Sequence, residues 1–104
     1  MWAQLIKMHI KPGKESDVGS LAEMLHAAEQ PDSGLIRSLS MTDQKDPGVF
    51  YTFVLFESEE QARAREADPR RNEQLAAVRV KMAEVFEMPP EFVDLNVVDD
   101  FGPK

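Results

Sequence analysis

Two histidines stand in this chain of 104 residues, His9 and His26. A neutral imidazole has a reference pKa of about 6.5, so it can accept a proton near neutrality. His9 closes the stretch "MWAQLIKMHI", which also holds Lys7. Lys7 and Arg37 are cations inside apolar runs. In a cleft such a cation can hold an enolate or a carboxylate; elsewhere it pairs with a carboxylate such as Asp94 or extends its head to water. Phe56, at the end of "VFYTFVLF", offers a ring that can stack on a flat ligand or fill a core. Tyr51 in the same run offers a hydroxyl, on the opposite parity from Phe56. In "ADPRRNEQL", Arg70, Arg71 and Asn72 follow Asp68-Pro69 in the first turn of a helix, where free N–H groups attract anions. The ordinary alternative for these three is plain surface exposure.

Several chemistries are excluded. There is no cysteine, hence no disulfide, thiolate zinc site, iron–sulfur cluster or cysteine nucleophile. Two widely separated histidines fall short of a usual facial ligand set, so no metal site is expected. There is no Gly-rich phosphate loop and no G-x-S-x-G. The net charge of −7 disfavours nucleic acid and anionic membranes as partners. No window approaches the ~18–20 apolar residues of a membrane span, and the N-terminus lacks a signal-peptide pattern. A cytoplasmic protein is expected. The length suits one domain with a thin core, expected over residues 1–98 with a flexible tail at 99–104.

The elements that must position these groups follow from periodicity. Trp2 to Ile10 alternates as a strand, with Trp2, Gln4, Ile6, Met8 and Ile10 on one face and Lys7 and His9 on the other. "KPGK" turns the chain. Ser16 or Asp17 can cap a helix whose apolar residues are Val18, Leu21, Ala22, Leu25 and Ala28, closed by Pro31. A second strand runs from Leu35 to Met41, with Leu35, Arg37, Leu39 and Met41 assigned to one face. The short loop "TDQKDPG" predicts an antiparallel hairpin to a third strand, Val49–Phe56. Ser58 with Gln61 forms a capping box for a short helix over Glu59–Ala67. Asp68-Pro69 starts another, carrying Leu75, Val78, Met82 and Val85 at spacings of three and four and ending before Pro89-Pro90. Phe92–Val98 is a last strand. The order β-α-β-β-α-β predicts an α+β, ferredoxin-like split β-α-β with a four-stranded antiparallel sheet. The third strand is apolar on both faces, so the face without helices needs a cover, most simply a second copy in a symmetric homodimer.

The strand ending in "KPGK", the "PDSGLIRSLS" before the second strand, "DPGVFYTFVLFESEEQARA" and "ADPRRNEQL" together resemble the antibiotic-biosynthesis-monooxygenase-like family of the dimeric α+β barrels. The resemblance covers about the first 98 residues. It implies a dimeric α+β barrel and a cofactor-free monooxygenase acting on a small aromatic phenol, hydroquinone or polyketide. Such a substrate would lie between sheet and helices, against Phe56. His9 would take its proton, Asn72 would hydrogen-bond its oxygen, and Lys7, Arg37 and Arg70 would contact it. A non-catalytic small-molecule-binding module on the same fold is the alternative. A haem-degrading branch of the family is disfavoured, because its histidine and asparagine align with Gln74 and Lys7. Where the family often has Trp in a W-E-S step, this chain has Phe56 in "FES".

Overall fold

The chain runs β1 (Trp2–His9), α1 (Val18–Ala27), β2 (Leu35–Thr42), β3 (Val49–Phe56), α2 (Glu59–Glu66), α3 (Pro69–Val85) and β4 (Glu91–Asn96). The structure is a computed structural model and describes residues 1–103. All strand pairs are antiparallel, in the order β2-β3-β1-β4. This is the expected ferredoxin-like split β-α-β, the fold of the dimeric α+β barrels.

The register of the two central strands sorts the sheet into faces. Trp2 pairs with Phe56, Gln4 with Val54, Ile6 with Thr52 and Met8 with Phe50. Side chains alternate across a strand, so all eight share one face, and the helices cover it. Met8 and Phe50 pack there with Leu21 of α1 and Leu75, Val78 and Val85 of α3. Trp2, Val54 and Phe56 pack with Ala62 of α2 in a second cluster. The opposite face carries Leu5, Lys7, Tyr51, Phe53 and Leu55, with Leu39, Met41, Val93 and Leu95 from the outer strands. Among the described residues no helix lies on it, and Leu39, Met41, Val93 and Leu95 stand exposed.

The second strand departs from simple alternation. A register shift between Leu35 and Arg37 pairs Leu35 with Phe56 but Arg37 with Leu55. The extra residue of this bulge is Ile36. Leu35 therefore packs beside Phe56 on the helix face, and Arg37, Leu39 and Met41 lie on the other. The expectation that all four share a face is corrected by that one inserted residue.

The helix starts differ in kind. Ser58 Oγ accepts from Gln61 N at 3.2 Å, so Ser58 caps the helix as expected, while its hydroxyl donates to Gln61 Oε1 at 3.1 Å, in place of the backbone contact that would complete a capping box. Asp68 accepts from Arg70 N at 2.9 Å, with Pro69 in the first helical position. At α1 neither Ser16 nor Asp17 makes a side-chain cap; a 3-10 turn over Glu15–Asp17 leads into the helix instead. β4 stops at Asn96, short of the expected Val98, because its partner strand runs out: Asn96 faces Trp2, and Val97 N makes a last bond to Met1 O at 3.3 Å. Residues 97–103 hold no helix or strand. Lys104, the end of the expected tail, lies outside the described residues. Among the described residues no helix is long and apolar enough to cross a membrane.

Gly34 joins two of these features. Its φ is +80°, a left-handed conformation that side chains disfavour, and a Cβ there would sit 2.9 Å from Gln61 Cβ. Its carbonyl accepts from Glu57 N at 3.0 Å, tying β2 to the end of β3. Gly34→Ala is expected to lower stability by at least about 1–2 kcal/mol, read as a reduced urea midpoint with an unchanged slope.

Candidate functional site

Between the sheet and α3 lies a cavity of about 440 Å³. That volume suits a molecule of two or three fused rings. Its floor is Ile6, Met8 and Val54 of the central strands; its roof is Leu75, Val78 and Met82 of α3. Pro90 and Phe92 close one side from the start of β4. The void sits where the core divides. Met8, Leu75 and Val78 belong to the larger apolar cluster, Val54 to the smaller one, and the short side chains of Ser38 and Thr52 do not bridge them.

One end of the cavity is charged. Arg65 of α2 clamps Glu29 with three contacts, its Nε at 3.0 Å from each carboxylate oxygen and a terminal nitrogen at 2.6 Å. Burial alone would raise the Glu29 pKa. The hydrogen bonds from Arg65 and Ser33, with the charges of Arg65 and Arg71, outweigh it and hold the carboxyl below its ordinary value. The same Arg65 guanidinium covers the Phe56 ring at 5.2 Å. Next to it Arg71 also lines the cavity, with a buried Nε that has no hydrogen-bond partner. Burial and then the Arg65 charge push this guanidinium below its usual value. Outside this end, Gln4 Nε2 donates to Asp94 at 2.9 Å, and Arg63 donates to the other oxygen of Asp94 at 2.9 Å while lying over Trp2.

The structure separates the groups that the sequence suggested would act together. Phe56 faces the helices as its parity requires, but it is 2% exposed, packed on Trp2 at 6.1 Å beneath Arg65, and it is not part of the cavity wall. Lys7, His9 and Arg37 lie on the helix-free face, in register with Tyr51, Val49 and Leu55. The full thickness of the sheet stands between them and the cavity. The expectation of one ligand touching both Phe56 and the Lys7–His9 pair is corrected by strand parity: even positions of β1 face the helices and odd positions do not. His9 Nε2 lies 3.9 Å from Glu91 instead. Arg70 turns outward, bound to Asp68 at 2.6 Å and Asp32 at 3.1 Å. Asn72 stands one step behind the wall, where its Oδ1 accepts from Arg79, which does line the cavity, at 2.9 Å.

Of the residues weighed from sequence, His26 and Arg71 line the cavity; the wall residues that sequence reasoning passed over are Gln4, Glu29, Arg65 and Arg79. One signal was available. The α3 stripe of Leu75, Val78 and Met82, continued backwards by one turn, lands on Arg71. A cation in phase with a buried stripe either caps the core or faces a pocket.

The fold is ferredoxin-like, with a cavity between the sheet and α3. The model of the antibiotic biosynthesis monooxygenase family matches residues 1–77, and the chain belongs to that family. No curated protein matches the chain. Among solved structures it is similar to a mutant form of SnoaB, a cofactor-independent oxygenase from Streptomyces nogalater, at 11% identity and TM-score 0.75, over 98% of this chain and 97% of that one. A protein of unknown function from Nitrosomonas europaea is similar at 18% identity and TM-score 0.75, over 99% and 94%. Rv0793 from Mycobacterium tuberculosis is similar at 15% identity and TM-score 0.73, over 97% and 98%. At such identities the likeness shows the fold.

The Glu29–Arg65 clamp makes stability depend on pH. Glu29 has a folded pKa below its ordinary 4.5, so its contribution is fully present above that value and is lost as pH falls through the folded pKa. In urea unfolding, wild type is expected to exceed Glu29→Gln in stability at neutral pH, with the gap closing on acidification. A gap that stays constant with pH would contradict the assignment.

Proposed function

We propose that this protein is a cofactor-independent monooxygenase that oxidises a small phenol or hydroquinone of two or three rings. The observation that carries the reading is the cavity of about 440 Å³ between sheet and α3 in a chain of this family. Its apolar floor and roof suit a flat ring, and its charged end suits the oxygen of that ring. The substrate loses its hydroxyl proton and becomes an electron-rich anion. That anion passes one electron to dioxygen, and the substrate radical and superoxide then combine through a new C–O bond. The peroxide takes up a proton and loses water, leaving a quinone carbonyl. One oxygen atom ends in the product and the other in water.

The protein's part is to bind, orient and exclude bulk water. His26, the histidine on the cavity wall, is the group assigned to receive the proton. Asn72 is a positioning residue that holds Arg79. Oxygen uptake over a panel of anthrones and hydroquinones tests the reading. Uptake above the buffer rate is expected, with a loss of roughly 10²-fold or more in His26→Gln. Ser38→Trp, which fills the cavity from an exposed strand position, is expected to abolish uptake, whereas His9→Gln on the opposite face retains it. No uptake above buffer across the panel would leave a non-catalytic binding module as the better description.

The helix-free face supports a second element of the proposal, a homodimer that pairs sheet to sheet. Leu39, Met41, Val93 and Leu95 form an exposed apolar patch there around Phe53 and Leu55. Sedimentation is expected to return twice the chain mass of 11.8 kDa at micromolar concentration. Phe53→Asp should shift the population to monomer; a monomeric wild type would refute the pairing.

A further inference from the structure

The charge of the cavity wall runs against the charge of the molecule. The chain carries a net −7, yet three guanidinium groups line the cavity, Arg65, Arg71 and Arg79, against one carboxylate, Glu29. Two of the three cations are engaged. Arg65 is bound to Glu29, and Arg79 donates to Asn72. Arg71 is not: it enters none of the ion pairs or side-chain hydrogen bonds formed among the described residues, and its Nε is buried without a partner. A guanidinium keeps its proton even when half-buried, so burial does not neutralise this one. Its Nε is taken out of water and left unpaired, and that is costly unless something compensates it. Arg65 and Arg79 nearby add repulsion; Glu29, the closest relief on the wall, is already clamped.

We propose that Arg71 is the anchor for an ionised oxygen of the ligand, so that the cavity selects aromatic acids, carboxylates or phenolates, over neutral aromatics of the same shape. The inference deepens the oxygenase reading, on whose cavity it rests. The geometry supplies both halves of such a molecule's recognition. Leu75, Val78 and Met82 continue the helical stripe that Arg71 begins, so a ring lying along α3 would bring a substituent on its edge to the guanidinium. The planar fork matches a carboxylate or phenolate better than a point charge does. For a phenol, the same contact favours the ionised form, which is the form that donates an electron to dioxygen.

The test is a pair of matched titrations on the full chain at neutral pH, read by calorimetry. The first compares 1-naphthoate with 1-naphthamide, the second 2,4-dinitrophenol with its methyl ether. A charge-assisted contact predicts that the anion of a pair binds roughly 10–100-fold tighter than its neutral partner. A preference in one pair alone supports the proposal and tells carboxylate from phenolate. Arg71→Met should erase the preference and Arg71→Lys should keep part of it. Equal affinity within both pairs in wild type overturns the proposal, as does an undiminished preference in folded Arg71→Met. Should Arg71→Met not fold, methyl-labelled methionine spectra of wild type decide. Naphthoate is expected to shift Met8 and Met82, which line the cavity; shifts confined to Met1 or Met41 overturn the assignment. Anion preference without oxygen uptake would refute only the oxygenase reading, and oxygen uptake without anion preference would refute only this one.

Discussion

The pairing of β1 with β3 is the constraint on which the rest of the molecule depends. Both strands are apolar on both faces, so hydrophobic content alone does not say which side the helices should cover. The register does, by joining Trp2 to Phe56 and Met8 to Phe50 across the two strands. That pairing gathers the largest side chains onto one face, where two ring pairs, Trp2 with Phe56 and Phe50 with Phe86, anchor the two ends of the core. A slip of one residue would send the whole set to the other side.

The cavity follows from the same arrangement. Phe50 and Phe56 lie at opposite ends of β3, and the helices are propped against them. Between them the helix face of the sheet offers Gln4, Ile6, Thr52 and Val54, and β2 contributes Ser38 across its bulge. These side chains leave the cavity between the sheet and α3, so the middle of the sandwich is underfilled. Interiors seldom leave such a space, and here its lining differs from end to end: apolar along α3, charged where α1, α2 and α3 converge.

The charged end is a small electrostatic frame. Arg65 touches both Glu29 and the face of Phe56, so one guanidinium joins the segment after α1 to α2 and β3. Arg63, two residues earlier and so on the opposite side of α2, does the equivalent there by linking Asp94 of β4 with the Trp2 ring. These alternating arginines in "QARARE" look in sequence like a solvated helix surface. Each is in fact held over a core aromatic, because α2 lies across the ends of the two central strands.

Much of the fold was legible in the sequence. Strand alternation, the Ser58 and Asp68 caps and the three-four spacing of α3 are local signals, set by neighbours within a few positions, and all appear where expected. The parity of β1 also put Lys7 and His9 together on the face away from Trp2 and Met8, and of β3 placed Phe56 with Val54. What local signals do not contain is which parity of one strand shares a face with which parity of another. That is a register, decided by pairing between Trp2 and Phe56 at opposite ends of two distant segments. It placed His9 and Lys7 across the sheet from the cavity, and the Leu35–Arg37 bulge split a face that alternation would have kept whole. The sequence by itself determined the elements, their order and the two-sided apolarity of the sheet. Only the tertiary structure decided that Arg71, rather than the histidine of β1, lines the cavity, because a side chain's access to a cavity depends on helix packing against a sheet and not on its own neighbours along the chain.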